Sequence, residues 1–234
     1  MRLFLVDVPE GPTPFHGMMV PERAPMETYP IMLDLHGRLA VVVGAGAVGL
    51  RKVGALRRAE AQVRLVAPQI DTDADLAGLD VVRRAYHEDV LTGAFLVLAC
   101  TNDRGLNARI ARDARRIGAL VNVADTPEEC DFHLPATVRD GDVTVAIGTG
   151  GAAPAVSAWL RRRIAHELPE RLGPFAAALD EVRTELKAVV ADPERRMAIV
   201  KQLASDEGHR EFLRAGRSGL REKLSELMED KKET

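Results

Sequence analysis

The apolar positions between residues 39 and 124 fall into short runs that predict five β-strands. The runs are continuous rather than alternating and are rich in Val, Leu and Ala. This pattern is typical of strands that are buried on both faces of a parallel sheet. The predicted strands span residues 39–43, 62–67, 80–85, 95–100 and 120–124.

Two of the segments between these runs carry apolar residues at helical spacing. In residues 47–59, Val48, Val53 and Leu56 share one side of a helix and basic residues occupy the other. Residues 104–117 show the same amphipathic pattern. Strands that alternate with helices of this length predict an α/β fold, with a parallel sheet covered on both faces.

The pattern changes beyond residue 135, where strands and helices no longer alternate. Residues 142–147 are strand-like and lead into a glycine-rich turn at 148–151. Pro154 fits the first turn of a helix over residues 154–166, because proline is favoured at that position. After residue 171 the periodic segments are helical, with a break before Pro193. We therefore expect the last third of the chain to be all-helical.

Composition narrows the possible functions. The 234 residues include 32 basic and 35 acidic side chains, for a net charge of -3, so no cationic field is expected to attract nucleic acid. Aromatic residues make up 4% of the chain, too few for the stacking platforms that bind single strands. The longest apolar run, residues 39–50, is shorter than the roughly 20 residues that a membrane span needs. Neither nucleic-acid binding nor a membrane span is expected.

The cysteine pattern suggests neither a metal site nor secretion. Cys100 and Cys130 do not form a CxxC pair, and with His133 they match no known zinc spacing, so no metal site is expected. The first residues also lack the charged and apolar regions of a secretory signal. We interpret both cysteines as reduced thiols and expect a cytoplasmic protein.

A glycine motif between the first strand and the first helix predicts a dinucleotide site. Gly44, Gly46 and Gly49 form a GxGxxG at this position. Such glycines allow a tight turn and a close approach to a pyrophosphate, which also meets the free N–H groups of the helix. The alternative is a glycine-rich turn that serves packing alone.

The motif does not decide between NAD and NADP. The acidic residue that usually follows about 20 positions later is missing, because the second strand ends Val66-Ala67-Pro68-Gln69. No arginine follows directly to hold a 2′-phosphate, since Arg64 lies within the strand.

Polar residues follow the fourth and fifth strands at the same predicted edge of the sheet. Thr101 and Asn102 could line the cofactor crevice, although Asn102 or Asp103 could instead cap the next helix. Asp125 could be a catalytic base beside the nicotinamide or could cap a turn, because Asp-Thr-Pro-Glu also resembles a helix start. The residues alone leave both pairs of alternatives open.

Further along, the 148–151 turn is a second potential anion site. Arg161, Arg162 and Arg163 on the following helix would suit a polycarboxylate. The alternative is that these arginines are simply solvated.

Seven segments occur in a recognisable order along the chain. They are Tyr29-Pro30-Ile31-Met32-Leu33-Asp34-Leu35, Val43-Gly44-Ala45-Gly46, Val66-Ala67-Pro68, Cys100-Thr101-Asn102-Asp103, Asn122-Val123-Ala124-Asp125, Cys130-Asp131-Phe132 and Gly148-Thr149-Gly150-Gly151-Ala152-Ala153-Pro154. Together they resemble precorrin-2 dehydrogenase, the dehydrogenase and ferrochelatase module of siroheme synthases. The resemblance is close over residues 29–175 and loose in the helical tail.

The resemblance implies an NAD-dependent enzyme that oxidises precorrin-2 to sirohydrochlorin as a homodimer. It implies that Asp125 is the catalytic residue, and it extends the cofactor contacts beyond the glycines to Ala47, Val48, Pro68, Gln69, Thr101 and Asn102. It does not decide whether the chain also chelates metal. No methyltransferase domain is recognisable, so a stand-alone form is expected, for which a separate protein makes precorrin-2.

With this family as a guide, four segments are expected. Residues 1–28 are rich in proline, which resists regular structure, so they form a flexible extension unless translation begins nearer Met26. The others are an NAD-binding Rossmann domain at 29–135, a dimerisation region at 136–167 and a helical domain at 168–234. A non-catalytic NAD-sensing module and a dehydrogenase for another substrate remain alternative functions.

Overall fold

A five-stranded parallel sheet is formed by strands between residues 39 and 123. The computed structural model describes residues 28–70, 74–151 and 153–229, so the predicted N-terminal extension lies outside the described residues except for Thr28. The strand order is β3-β2-β1-β4-β5, which confirms the predicted Rossmann-type sheet. The strands are β1 (Leu39–Val43), β2 (Gln62–Val66), β3 (Asp80–Val82), β4 (Leu96–Ala99) and β5 (Leu120–Val123).

Helices cover both faces of this sheet because alternate residues of each strand point to opposite sides. Ala40 and Val42 belong to the apolar cluster that includes residues of α1 (Ala47–Arg58). Val41 and Val43 belong to the cluster on the other face, beneath α2 (Arg104–Arg116). All four side chains are at most 2% exposed, which explains why this strand is a continuous apolar run.

The third strand is shorter than predicted. The sequence predicted residues 80–85, but β3 ends at Val82. It lies at the edge of the sheet and pairs with β2 alone. Directly after it the N–H of Arg84 turns back to the carbonyl of Val82 at 3.1 Å, and the Arg84 side chain pairs with Asp89. The chain therefore leaves the sheet at the two arginines rather than continuing to Ala85.

An antiparallel hairpin follows the sheet, and its first strand was not predicted. β6 (Ala136–Asp140) pairs with β7 (Val143–Ile147), and the latter matches the predicted strand at 142–147 closely. β6 has few apolar residues and alternates half-buried with exposed positions, so it gave only a weak strand signal. The Asp140-Gly141 pair at the turn was the available clue, and Gly141 has the positive φ of 55° that such turns favour.

The described residues from 154 to 229 are mainly helical, as predicted. An apolar cluster that includes Phe175, Leu186, Leu203 and Leu220 joins the last three helices. The break before Pro193 is confirmed, since Asp192 caps the helix that begins there. The helices are α3 (Pro154–Glu167), α4 (Leu172–Val189), α5 (Pro193–Leu203) and α6 (Asp206–Glu229), which is kinked at Gly216.

The hairpin turn and the start of α4 are in direct contact. The N–H of Gly173 donates to Oδ2 of Asp140 at 2.9 Å. A Cβ at position 173 would lie 2.2 Å from the Asp140 carbonyl oxygen, so only glycine fits this approach. The domain boundaries at residues 135 and 167 stay predictions. Among the described residues, no helix combines the length and the apolar character that crossing a membrane requires.

Candidate functional site

The predicted cofactor and catalytic residues follow four strands that end at one edge of the sheet. Val43 of β1 pairs with Val66 of β2 and with Ala99 of β4, and Ala99 pairs in turn with Val123 of β5. Because these strands are parallel, the segments that follow them lie along the same edge. The chain order reverses between β1 and β4, and ligands of open α/β sheets bind in the crevice at such a reversal.

The three glycines of the motif have different physical reasons to be glycine. A Cβ on Gly44, whose φ is +108°, would lie 2.4 Å from the carbonyl oxygen of Cys100. A Cβ on Gly49 would lie 2.0 Å from the carbonyl oxygen of Gly44, so this position permits the helix to pack on the turn. A Cβ on Gly46 would meet nothing within 4 Å. Gly44 and Gly49 therefore serve packing, whereas Gly46 borders open space.

The start of α1 is suited to an anion, and the start of α2 is not. Gly46 is the N-cap residue of α1, and no side chain caps the helix or places an acid in its first turn. At α2 the Asp103 side chain accepts a hydrogen bond from Leu106 N at 3.0 Å. This contact decides the capping alternative in favour of Asp103 rather than Asn102. The positive end of the α1 dipole and its N–H groups remain for a phosphate.

A buried asparagine holds Thr101 in place. Asn107 is 5% exposed, and its Oδ1 lies 2.7 Å from Thr101 Oγ1 and accepts from Thr101 N at 3.1 Å. Its Nδ2 donates to the Thr101 carbonyl at 2.9 Å. The sequence analysis missed Asn107, although a polar residue on the buried face of an amphipathic helix was a visible signal. Asn107 fixes the turn that carries Thr101 and Asn102.

The other predicted contact residues lie around the same edge. Pro68 and Gln69 follow β2, and both are exposed. Asn102 and Ala47 are also exposed. Val48 is half-buried in the first turn of α1. The structure therefore brings the predicted contact residues to one edge. Their contacts with a cofactor stay predictions.

Asp125 lies two residues beyond the end of β5, in an unusual backbone conformation. Its φ is 59°, in the left-handed region that few residues other than glycine adopt, and the residue is exposed. The short 3-10 helix that follows, Pro127–Glu129, has Thr126 as its N-cap residue and no side-chain cap. The capping alternative for Asp125 is therefore not supported. A non-glycine residue in this conformation, at the edge where the cofactor is expected, is consistent with a functional role.

Comparisons with known proteins agree with this geometry. A family model described as NAD(P)-binding matches residues 31–136. The siroheme synthase of Pseudomonas paraeruginosa is 34% identical over 205 residues, which is 86% of this chain and 44% of that protein. The siroheme synthase of Nitrosococcus oceani is 40% identical over 159 residues, 65% of this chain and 34% of that protein.

A solved structure, "SirC, precorrin-2 dehydrogenase", has a similar fold. Its TM-score is 0.70 at 23% sequence identity, and the match covers 86% of this chain and all of that one. The chain therefore shares the fold of this protein, and its sequence is similar to those of siroheme synthases. It spans less than half the length of the siroheme synthases that it matches.

The residues at the sheet edge fit an NAD-type cofactor, in agreement with the NAD(P)-binding family model. The open space at Gly46 and the uncapped start of α1 would accept the pyrophosphate. Thr101 and Asn102, held by Asn107, would line the crevice on the β4 side.

A second group of polar residues lies between α1 and β5. Lys52 Nζ donates to Oδ1 of Asn122 at 2.7 Å, across 70 residues of sequence. Both cysteines are close to Lys52, and burial raises the pKa of each thiol even though the lysine charge opposes this effect. Sequence reasoning did not assign a role to Lys52, which looked like one of several basic residues on a solvated helix side.

Proposed function

We propose that this chain oxidises precorrin-2 to sirohydrochlorin with NAD⁺ as the hydride acceptor and Asp125 as the residue that handles the proton. The observation that carries the proposal is the position of Asp125: it has a left-handed conformation and lies two residues after β5, at the sheet edge where α1 begins. Similarity to siroheme synthases in sequence, and to a precorrin-2 dehydrogenase in fold, supports the choice of substrate.

The roles of the residues follow from the stoichiometry of the reaction. Net loss of two hydrogens from precorrin-2 removes one hydride and one proton. When bound, NAD⁺ supplies the hydride acceptor. The Asp125 carboxylate is exposed at the crevice edge and can accept or relay the proton. Gly44 and Gly49 shape the turn that presents the α1 N-terminus to the cofactor, and the Asn107–Thr101 bonds fix the opposite wall.

An anaerobic assay tests this function. The purified chain is mixed with precorrin-2 and NAD⁺, and NADH formation and the sirohydrochlorin spectrum are followed together. We expect both signals to rise in equal molar amounts. NAD binding without turnover would instead favour an NAD-sensing module, and a second assay with Fe²⁺ or Co²⁺ added to the product tests chelation.

We further propose a homodimer whose interface includes the β6–β7 hairpin and α3. Trp159 is 49% exposed and Val156 is 43% exposed on α3, and large exposed apolar residues of this kind are enriched at interfaces. Light scattering at micromolar concentration should give twice the chain mass. Trp159→Glu should shift the protein towards the monomer, while Arg183→Glu, an exposed position on α4, should leave the dimer intact. A monomeric wild-type protein would contradict this prediction.

A further inference from the structure

Asn122 is a polar residue on a face of the sheet that is otherwise apolar. Its neighbour two positions earlier on β5, Leu120, packs in the cluster beneath α1, and strand alternation puts Asn122 on that same face. It is 7% exposed, and both atoms of its amide have partners. Oδ1 accepts from Lys52, and Nδ2 donates to the carbonyl of Phe132 at 3.0 Å and towards Cys130 Sγ at 3.4 Å.

The Cys130 side chain contacts the backbone on both sides of the turn that carries Asp125. Its Sγ accepts from Val123 N at 3.2 Å, before the turn. The same sulfur lies 3.3 Å from the carbonyl oxygen of Val123 and 3.4 Å from that of Thr126, after the turn. The backbone that surrounds Asp125 is therefore tied at both ends to one side chain, and that side chain contacts Asn122.

Lys52 connects this cluster to the helix at which the cofactor is proposed to bind. It lies in the second turn of α1, and its half-buried ammonium reaches across to β5. Burying an ammonium group and an amide costs desolvation free energy, and burying two apolar side chains would not have this cost. Packing alone therefore does not require this pair. A directional hydrogen bond does fix one relative position of the two elements, which apolar contact does not.

We propose that Lys52 and Asn122 are positioning residues, which hold the Asp125 turn at a fixed place relative to the start of α1. The inference rests on the proposed function, because it concerns the alignment of the proton acceptor with the cofactor. The mechanism is indirect: Lys52 orients the Asn122 amide, the amide orients residues 130–132, and Cys130 holds the turn.

The test compares Lys52→Met, Asn122→Leu and the double variant with Arg58→Met. Arg58 is an exposed basic residue in the last turn of α1, so its replacement removes the same charge from the same helix without touching β5. For each protein we would measure kcat, the KM for precorrin-2, the Kd for NAD and Tm.

We expect each single variant to lower kcat by about tenfold to a hundredfold, as a small misalignment of reacting groups does. The Kd for NAD should change by less than about threefold, because the glycine turn is untouched. The loss of kcat in the double variant should be no greater than the loss in the more impaired of the two single variants, because both changes break the same contact. Wild-type kcat in folded Lys52→Met, or losses that multiply in the double variant, would overturn the proposal.

Hydrogen exchange without substrate or cofactor gives a second readout. Amides in a peptide spanning residues 121–132 should exchange faster in Lys52→Met and Asn122→Leu than in wild type or Arg58→Met. A peptide from α4 serves as the reference and should not change. Unchanged exchange in residues 121–132 would overturn the positioning role. This readout stands even if wild-type protein does not oxidise precorrin-2, a result that would overturn only the proposed function.

Discussion

Asp125→Asn is expected to lower kcat for precorrin-2 oxidation by at least about a hundredfold, the lower range for removing a positioned base. A hundredfold change in rate corresponds to about 2.7 kcal/mol of activation free energy. The amide keeps the size of the carboxylate but cannot accept the proton. Asparagine also tolerates the left-handed conformation at this position, φ 59°, better than most residues do, so the fold should be preserved. Alanine would add backbone strain and confuse the two effects.

The controls for this experiment separate chemistry from folding. Tm and the Kd for NAD should stay near wild type in Asp125→Asn. Asp142→Asn makes the same chemical change at an exposed position of the hairpin turn and should leave kcat unchanged. If Asp125→Asn lost stability while the folded fraction kept its turnover, Asp125 would be a structural residue and the base would lie elsewhere.

The sheet could be predicted from sequence because its strands are buried on both faces. Val41, Val42 and Val97 have no solvent exposure, so the strands that carry them are unbroken apolar runs that stand out from the polar segments on either side. β6 has one half-buried and one exposed face with few apolar residues, and its signal was too weak to see. The predicted third strand ran through Arg83 and Arg84 to residue 85, whereas β3 ends at Val82. The sequence did not reveal that this strand lies at the edge of the sheet.

The site was only partly visible in the sequence. Gly46, Thr101 and Asp125 were candidates because each lies within three residues of the end of a predicted strand, and parallel strands end at a common edge. Their roles stay predictions. The Lys52–Asn122 contact joins residues 70 positions apart, and no local pattern marks such a pair. Even the GxGxxG motif did not show which glycine serves packing and which borders open space.

Gly46→Val tests the cofactor site without disturbing the fold. The φ of Gly46 is -71° and its ψ is 176°, an extended conformation that valine adopts readily, and a Cβ there meets no protein atom within 4 Å. The variant should therefore fold with a Tm near wild type. The added side chain would occupy the open space where the pyrophosphate approaches the start of α1. Losing even one charge-assisted hydrogen bond of about 1.5–3 kcal/mol to the pyrophosphate would weaken NAD binding by about tenfold to a hundredfold.

Two further glycine variants make the result specific. Gly148→Val places the same side chain in a second glycine turn where a Cβ also meets nothing within 4 Å, and NAD affinity should stay at the wild-type value. Gly49→Val should instead lower Tm, because its Cβ would lie 2.0 Å from a backbone oxygen. Calorimetric titration with NAD⁺ and thermal unfolding measure both quantities. Normal NAD affinity in Gly46→Val would show that the pyrophosphate does not approach α1 at this glycine, and the cofactor would have to bind elsewhere along the sheet edge.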